Sequence, residues 1–361
     1  MVKKQRNMVS QQLSPKVSAL QQTPIAIIGM SALFAIAKNL QEYWENILGK
    51  VDGITEVPKT AWNIDEYYDP DPKAPDKTYA KSGGFLPEID FDPLEFGLPP
   101  DTLQALDSAN LLSLVMAKQA LQDAGYGEGK EFNRETTGVI LGASGLWKSI
   151  TPLTTRLQYP VWEKVLKNSG LSEEQTQKII EKIKASYVPW SENSFPGMLP
   201  NVVAGRITNR LDLGGTNCVV DAACASSLSA LKMAVSELIE GRCDMMLTGG
   251  FDTDNSILNY MCFSKTPAFS KKDYLNPFDA TSDGMIVGEG LGMLVLKRLE
   301  DAERDGDRIY AVIKGIGTGS DGRYKSIYAP RPEGQVRALR RAYEDAGFSP
   351  ATLGLMEAHG T

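Results

Sequence analysis

Short apolar runs rich in Val, Ile and Leu recur along the chain and alternate with stretches of helical spacing. PIAIIGM (24–30), TGVILGAS (137–144), NCVVDA (217–222), DMMLTGG (244–250), GMLVLKRL (292–299), YAVIKGIG (310–317) and GLMEA (354–358) read as strands. Few polar residues interrupt them, which predicts burial on both faces. Helical periodicity covers 39–48, 100–124, 225–240 and 334–346. This alternation predicts an α/β fold with helices covering a mixed or parallel sheet. Residues 62–98, rich in Pro, Asp, Tyr and Gly, read as a long ordered surface loop.

Residues 146–198 break the rhythm. Within them LSEEQTQKIIEKIKA predicts an amphipathic helix, with Ser172 and Gln175 at capping-box spacing and Ile179, Ile180 and Ile183 on one face. It is either a surface helix or a wall of an interface or channel. A second pattern is an internal echo: ALQDAGY (120–126) and AYEDAGF (342–348) place Ala, Asp, Ala, Gly and an aromatic alike. In both a helix ends at Gly, the usual residue after a helix, and a strand follows after a loop. As a duplication, this makes the chain one complete half plus the beginning of another.

Composition narrows the function. The chain has 361 residues, 42% hydrophobic and 23% charged, as expected of a globular chain with a core. A net charge of −7 without a basic stripe argues against nucleic acid. No apolar run approaches the roughly 20 residues of a membrane span. Residues 1–22 read as a polar tail without the apolar core of a signal peptide, which favours a reducing cytoplasm and free thiols. The four cysteines form no CxxC pair, and one histidine cannot complete a usual zinc site. The aspartate runs DPDP and DTDN lack the glycine-centred loop of a calcium site. GIGTGSDG matches no phosphate-binding loop and reads as a turn.

The strongest local signal is NCVVDAACASSLSALKMAVSELIEGRCDMMLTGG (217–250), a strand, sharp turn, helix and strand. Cys224 sits at the turn among small residues, including Ala222, Ala223 and Ala225. It therefore lies at a helix N-terminus, with Leu228, Leu231, Val235 and Leu238 expected along one face. There the helix dipole favours a thiolate, and free backbone N–H groups can hold an oxyanion. That geometry suits acyl transfer through a thioester; a small packed cysteine is the other reading. Cys218, Cys243 and Cys262 are expected to pack. His359, the lone histidine, is either an exposed side chain or part of a site.

VDAACASSL, NPFDATSDGMIVGEG, MLVLKRLEDA and EAHGT together resemble the β-ketoacyl synthase family, over residues 23 to 361. PIAIIGMSALF, YYDPDP, KSGGFL and AKQALQDAGY resemble the N-terminal half of condensing domains in multifunctional polyketide synthases. DAACASSL, MCFSKTPAFS and DGRYKSIYAPRPEGQ look most like iterative polyunsaturated-fatty-acid or glycolipid synthases. The resemblance implies a thiolase-like duplicated βαβαβαββ fold, the first half complete and the second truncated. Residues 23–305 would form the N-terminal half, with an insertion at 146–198, and 306–361 the start of the C-terminal half.

It also implies roles. Cys224 would take an acyl chain from acyl carrier protein, and His359 would assist malonyl decarboxylation and stabilise the enolate. Thr361 would bond the pantetheine arm, Phe263 would line the acyl channel, and Ala223 would border the substrate. Asp283 and Glu289 would be structural supports. No cofactor is expected on the chain itself; phosphopantetheine arrives on the carrier. A second histidine, a lysine and a glycine-rich loop would follow EAHGT. A homodimer, or a complementing polypeptide carrying the missing half, is therefore expected. The other reading is a non-catalytic partner that binds carrier protein or a sister ketosynthase. Thiolase-like degradation would need a second catalytic cysteine.

Overall fold

The computed structural model describes residues 17–360 except 100, 101, 104, 105, 128, 129 and 326–328. Eight strands are present among these: β1 Ile25–Phe34, β2 Ile54–Glu56, β3 Ser82–Gly84, β4 Thr137–Gly142, β5 Asn217–Val220, β6 Met245–Asp252, β7 Gly290–Arg298 and β8 Ala311–Ile313. Six form one sheet in the order β5-β4-β6-β7-β1-β8. β4 runs parallel to both β5 and β6, whereas β6 with β7, β7 with β1, and β1 with β8 are antiparallel. Helix Ser108–Asp123 precedes β4, Pro200–Leu211 precedes β5 and Ser226–Ile239 precedes β6. From β1 to β7 the main sheet thus follows the order βαβαβαββ.

The apolar strands serve both faces, as their composition predicts. Val139 and Leu141 of β4 pack with Leu114, Ala117 and Leu121 of helix Ser108–Asp123. Ile140, between them, joins Ala230, Ala234 and Leu238 of helix Ser226–Ile239 on the other side. Period-two side-chain alternation divides one strand between two cores. Each fully buried Leu, Ile or Val contributes about 1.5–3 kcal/mol.

The echo is built twice. At Gly29 a Cβ would lie 2.6 Å from both the Ala120 carbonyl oxygen and Ala124 Cβ; at Gly315 it would lie 2.3 Å from the Ala342 oxygen and 2.8 Å from Ala346 Cβ. Asp123 Oδ2 accepts the Met30 N–H at 2.8 Å, and Asp345 Oδ2 accepts the Ile316 N–H at 2.9 Å. β1 and β8 pair directly, with Ala26 opposite Val312. Both helices end at left-handed glycines, Gly125 (φ +83°) and Gly347 (φ +73°). The segment before each strand clasps the other unit's helix. Ser18 Oγ and Gln21 Nε2 donate to the Asp345 carbonyl, while Arg308 Nη2 donates to the Asp123 carbonyl.

Several expectations change. Residues 17–22 were expected in a polar tail, but Ala19–Gln22 is helical and Leu20 is buried, because this segment packs on helix Pro332–Ala346. Residues 1–16 lie outside the described region. GLMEA forms no strand: no ladder partner lies beside it among the described residues, and Leu355 and Met356 are exposed. GIGTGSDG is not simply a turn, since Gly315 and Gly317 form the contact face for Ala338 and Ala342. The helix expected over 100–124 is described from Ser108, and four positions at its expected start lie outside the described region. The 62–98 segment buries Trp62 and Tyr79 in an aromatic cluster with Tyr260 and Phe269. The 146–198 insertion is helical, with helices Trp147–Arg156, Tyr159–Asn168, Glu173–Ala185 and Ser194–Met198. Its Ser172–Gln175 capping box forms as expected.

Candidate active site

After β5 the chain turns sharply. Ala223–Ala225 makes one 3-10 turn and leads straight into helix Ser226–Ile239. Ala223 adopts φ +50°, a left-handed conformation that costs a non-glycine residue about 1–3 kcal/mol. Short hydrogen bonds hold it there. Its N–H donates to Asp221 Oδ1 at 2.9 Å, and its carbonyl accepts from Ser226 Oγ at 2.6 Å. Ser226 Oγ also accepts the Ala222 N–H at 2.9 Å. This elbow carries Cys224, which is exposed. No side chain caps the helix, so the positive end of its dipole stays open beside the sulfur.

Two glycines seat the helix on the sheet. A Cβ on Gly142, the last residue of β4, would lie 2.3 Å from the Ser226 carbonyl carbon and 2.4 Å from the Ser227 nitrogen. On Gly250 of β6 it would lie 2.8 Å from Ser227 Cβ. The helix start thus rests directly on backbone at the carboxyl ends of β4 and β6. Sequence reading missed both glycines. A glycine closing an apolar strand signals close backbone approach, and VILGAS carries that signal.

Cys224 and Ala223 face a groove of about 750 Å³ with apolar walls that include Met30, Phe34, Leu231, Phe251 and Met293. Its polar lining includes Ser227, Thr248, Asp252 and Glu289. Asp252 is exposed on the groove wall, with Asp254 and Glu289 close by. Desolvation, with the like charges of Asp254 and Glu289, pushes its carboxyl up to about 6, against a bond from the Asp254 N–H. Glu289 braces the wall by accepting the N–H groups of Leu86 and Asn255, at 3.0 and 3.2 Å. Asp283 accepts from Ser270 Oγ at 2.7 Å and from the Lys271 N–H at 3.2 Å. Both carboxylates fit the supporting role expected of them.

The other expected site residues are placed elsewhere. His359 lies in an exposed irregular segment and does not line the groove. Thr361 lies outside the described residues. Phe263 is half-buried and packs edge-on against Phe269, with ring centroids 5.8 Å apart, in the aromatic cluster. It too is absent from the groove wall, because helix Ile257–Lys265 places it against the aromatic cluster. Leu228, expected on the packed face of its helix, is 68% exposed beside Cys224. Of the remaining thiols, Cys218 is half-buried and Cys243 buried, and burial raises both thiols above their ordinary value. Cys243 lies just before β6 and packs as expected. Cys262, expected to pack, is exposed. Among the described residues no helix is long and apolar enough to cross a membrane.

Comparison with known proteins agrees with this arrangement. The profile of the β-ketoacyl synthase N-terminal domain matches residues 22–302, and that of its C-terminal domain matches 310–361. A polyunsaturated fatty acid synthase polypeptide of Thraustochytrium sp. is 48% identical over 94% of this chain, which spans 12% of that protein. Polyketide synthase PksN of Bacillus subtilis is 36% identical over 94% of this chain, which spans 6% of it. Among solved structures, the oxazolomycin ketosynthase domain OzmH KS7 of Streptomyces albus JA3453 superposes with a TM-score of 0.77 at 29% identity. The ketosynthase from module 6 of the Bacillus subtilis bacillaene synthase gives 0.75 at 32%. Each superposition covers 94% of this chain, and 53% and 51% of those chains respectively. An α/β sheet with this strand order, a cysteine at a strained strand-to-helix elbow and a family match over most of its length place the chain in the β-ketoacyl synthase family.

Proposed function

We propose that this chain carries the acyl-accepting half of a condensing site in polyketide or polyunsaturated-fatty-acid synthesis. The observation that carries this reading is Cys224, exposed at an uncapped helix N-terminus and facing an apolar groove. Cys224 Sγ attacks the carbonyl of an acyl thioester, and the pantetheine thiol of the carrier leaves with the proton. Malonyl on a second carrier then loses CO2. The resulting enolate carbon attacks the acyl-Cys224 carbonyl, the cysteine thiolate leaves, and a β-ketoacyl thioester remains on the carrier. An imidazole N–H can stabilise the negative charge on the enolate oxygen, the role assigned to His359.

Thr361 is assigned to the pantetheine arm and Phe263 to the wall reached by longer acyl chains. In the present arrangement His359 stands apart from the groove. The reading therefore assigns acyl loading to the residues gathered at Cys224, and condensation to an arrangement that brings His359 to it. Acyl carrier protein serves both steps, in a homodimer in the cytoplasm. The test is to incubate the chain with acyl carrier protein bearing an acyl group, digest it and weigh the Cys224 peptide. Acylation at Cys224, absent in Cys224→Ala, supports the reading. Unmodified Cys224 together with binding to carrier protein favours a non-catalytic carrier-binding partner.

A further inference from the structure

Ala225, which has no side-chain oxygen, holds the cap position of helix Ser226–Ile239, and Ser226, the first helical residue, does not cap it in its place. A capping hydroxyl accepts from an N–H two or three residues ahead. Here helix Ser226–Ile239 has no side-chain cap, and the Ser226 hydroxyl points back into the turn. Its oxygen accepts the Ala222 N–H and its proton goes to the Ala223 carbonyl. Asp221 reaches the Ala223 N–H from the strand side. Three side-chain bonds therefore converge on the backbone either side of the one left-handed residue in the turn. Ser226 is only 5% exposed, and both of its bonds go to backbone. Beneath it, backbone packing against Gly142 and Gly250 fixes the start of the helix. The element free to move is the elbow itself.

We propose that Ser226 and Asp221 are positioning residues for Cys224: they hold Ala223 left-handed and so aim the sulfur into the groove. This rests on the reading of Cys224 as the acyl-accepting nucleophile. Without the clamp an alanine relaxes toward the right-handed or extended backbone favoured by L-residues. That change redirects the Cα–Cβ bond of the next residue while the helix below stays seated. The effect falls on the reaction rate more than on binding, because the groove walls come from other elements.

The experiment compares Ser226→Ala, Asp221→Ala and Asp221→Asn with the parent chain. Asparagine keeps the oxygen that accepts the Ala223 N–H. Two readouts are used. One is amide hydrogen exchange in peptides covering the elbow (219–225) and the helix body (228–239). The other is acyl transfer to Cys224 from an acyl N-acetylcysteamine thioester, resolved into rate and KM. For the two alanine variants we expect faster exchange in the elbow with the helix body unchanged. Loading should fall by about 10²-fold, the loss typical of an ångström-scale misplacement, with KM within about twofold. Asp221→Asn should restore most of the rate. Parental elbow exchange in both alanine variants overturns the proposal, as does parental loading or a loss that appears only in KM. If the parent takes up no acyl group while elbow exchange still responds, the nucleophile reading fails and the clamp on the elbow stands.

Discussion

Replacing Gly142 with alanine tests how the site is seated. The new Cβ would lie 2.3–2.5 Å from three backbone atoms of Ser226 and Ser227. Carbon atoms settle at about 3.5–4.0 Å, so the helix start must retreat by roughly 1 Å. Overpacking costs about 1–3 kcal/mol. The upper end applies here because the obstructing atoms are backbone and cannot change rotamer. At about 2 °C per kcal/mol for a large domain, the thermal midpoint should fall by roughly 6 °C. The same retreat carries Cys224 with it, so acyl transfer should slow by about 10²-fold. The control is Gly241→Ala, beyond the other end of the same helix. Gly241 has φ +69° with open space around it. Alanine there is strained by about 1–2 kcal/mol and should lower the midpoint while loading stays parental. Circular dichroism melts and time-resolved intact mass spectrometry measure the two effects. If Gly142→Ala melts within 1 °C of the parent and loads at the parental rate, the helix does not rest on β4 as described.

Other perturbations reach different parts of the molecule. Lys297, 6% exposed at its side chain, bonds Asp305, Asp307 and Tyr126, and the Asp307 side chain is fully buried. Asp307 keeps Lys130 and Tyr126, and Asp305 keeps Arg304, so Lys297→Met should cost about 1.5–3 kcal/mol, the worth of its charged hydrogen bonds, seen as a lower urea midpoint with an unchanged slope. The Asp252 carboxyl titrates near 6 in the folded chain, against about 4 unfolded. The folded state thus holds its proton more tightly, and this contribution, full below pH 4, is lost as pH rises through 6. Urea midpoints between pH 4 and 7.5 should fall more for the parent than for Asp252→Asn; parallel curves would refute the assignment. Asp345→Ala should speed amide exchange at Ile316 and spare Met30, and Asp123→Ala should do the reverse, because each carboxylate holds one of those amides.

Much of the sheet was legible because its strands are unbroken apolar runs, and those runs become β1, β4, β6 and β7. The elbow was legible because small residues follow a strand and precede a helical stripe. What was not legible depended on contacts distant in sequence. No local pattern shows that Gly142 abuts Ser226, or that a hydroxyl at a helix start would turn backward. The strand over 354–358 was expected from its apolar residues alone, but a strand requires a neighbour, and periodicity does not supply one. Phe263 was assigned by motif, and it packs instead against Phe269 in an aromatic cluster that also draws Trp62 from some 200 residues earlier. Asp252 gave no sign in sequence, since its environment comes from β6 and the loop carrying Glu289.

The placement of β1 has a consequence for synthesis on the ribosome. β1 precedes the other strands of its sheet along the chain, yet both its neighbours, β7 and β8, come from residues 290–298 and 311–313. Its backbone groups wait for about 270 further residues before their ladder partners exist, roughly 15–55 s at 5–20 residues per second. During that time IAIIGMSALF is an unpaired apolar strand, the kind of segment that templates aggregation. Nascent chains stalled near residue 250 should expose it to protease, and chains that have completed β7 and β8 should not. The demand on cellular folding assistance is thus set by how far along the message the partners of β1 are encoded.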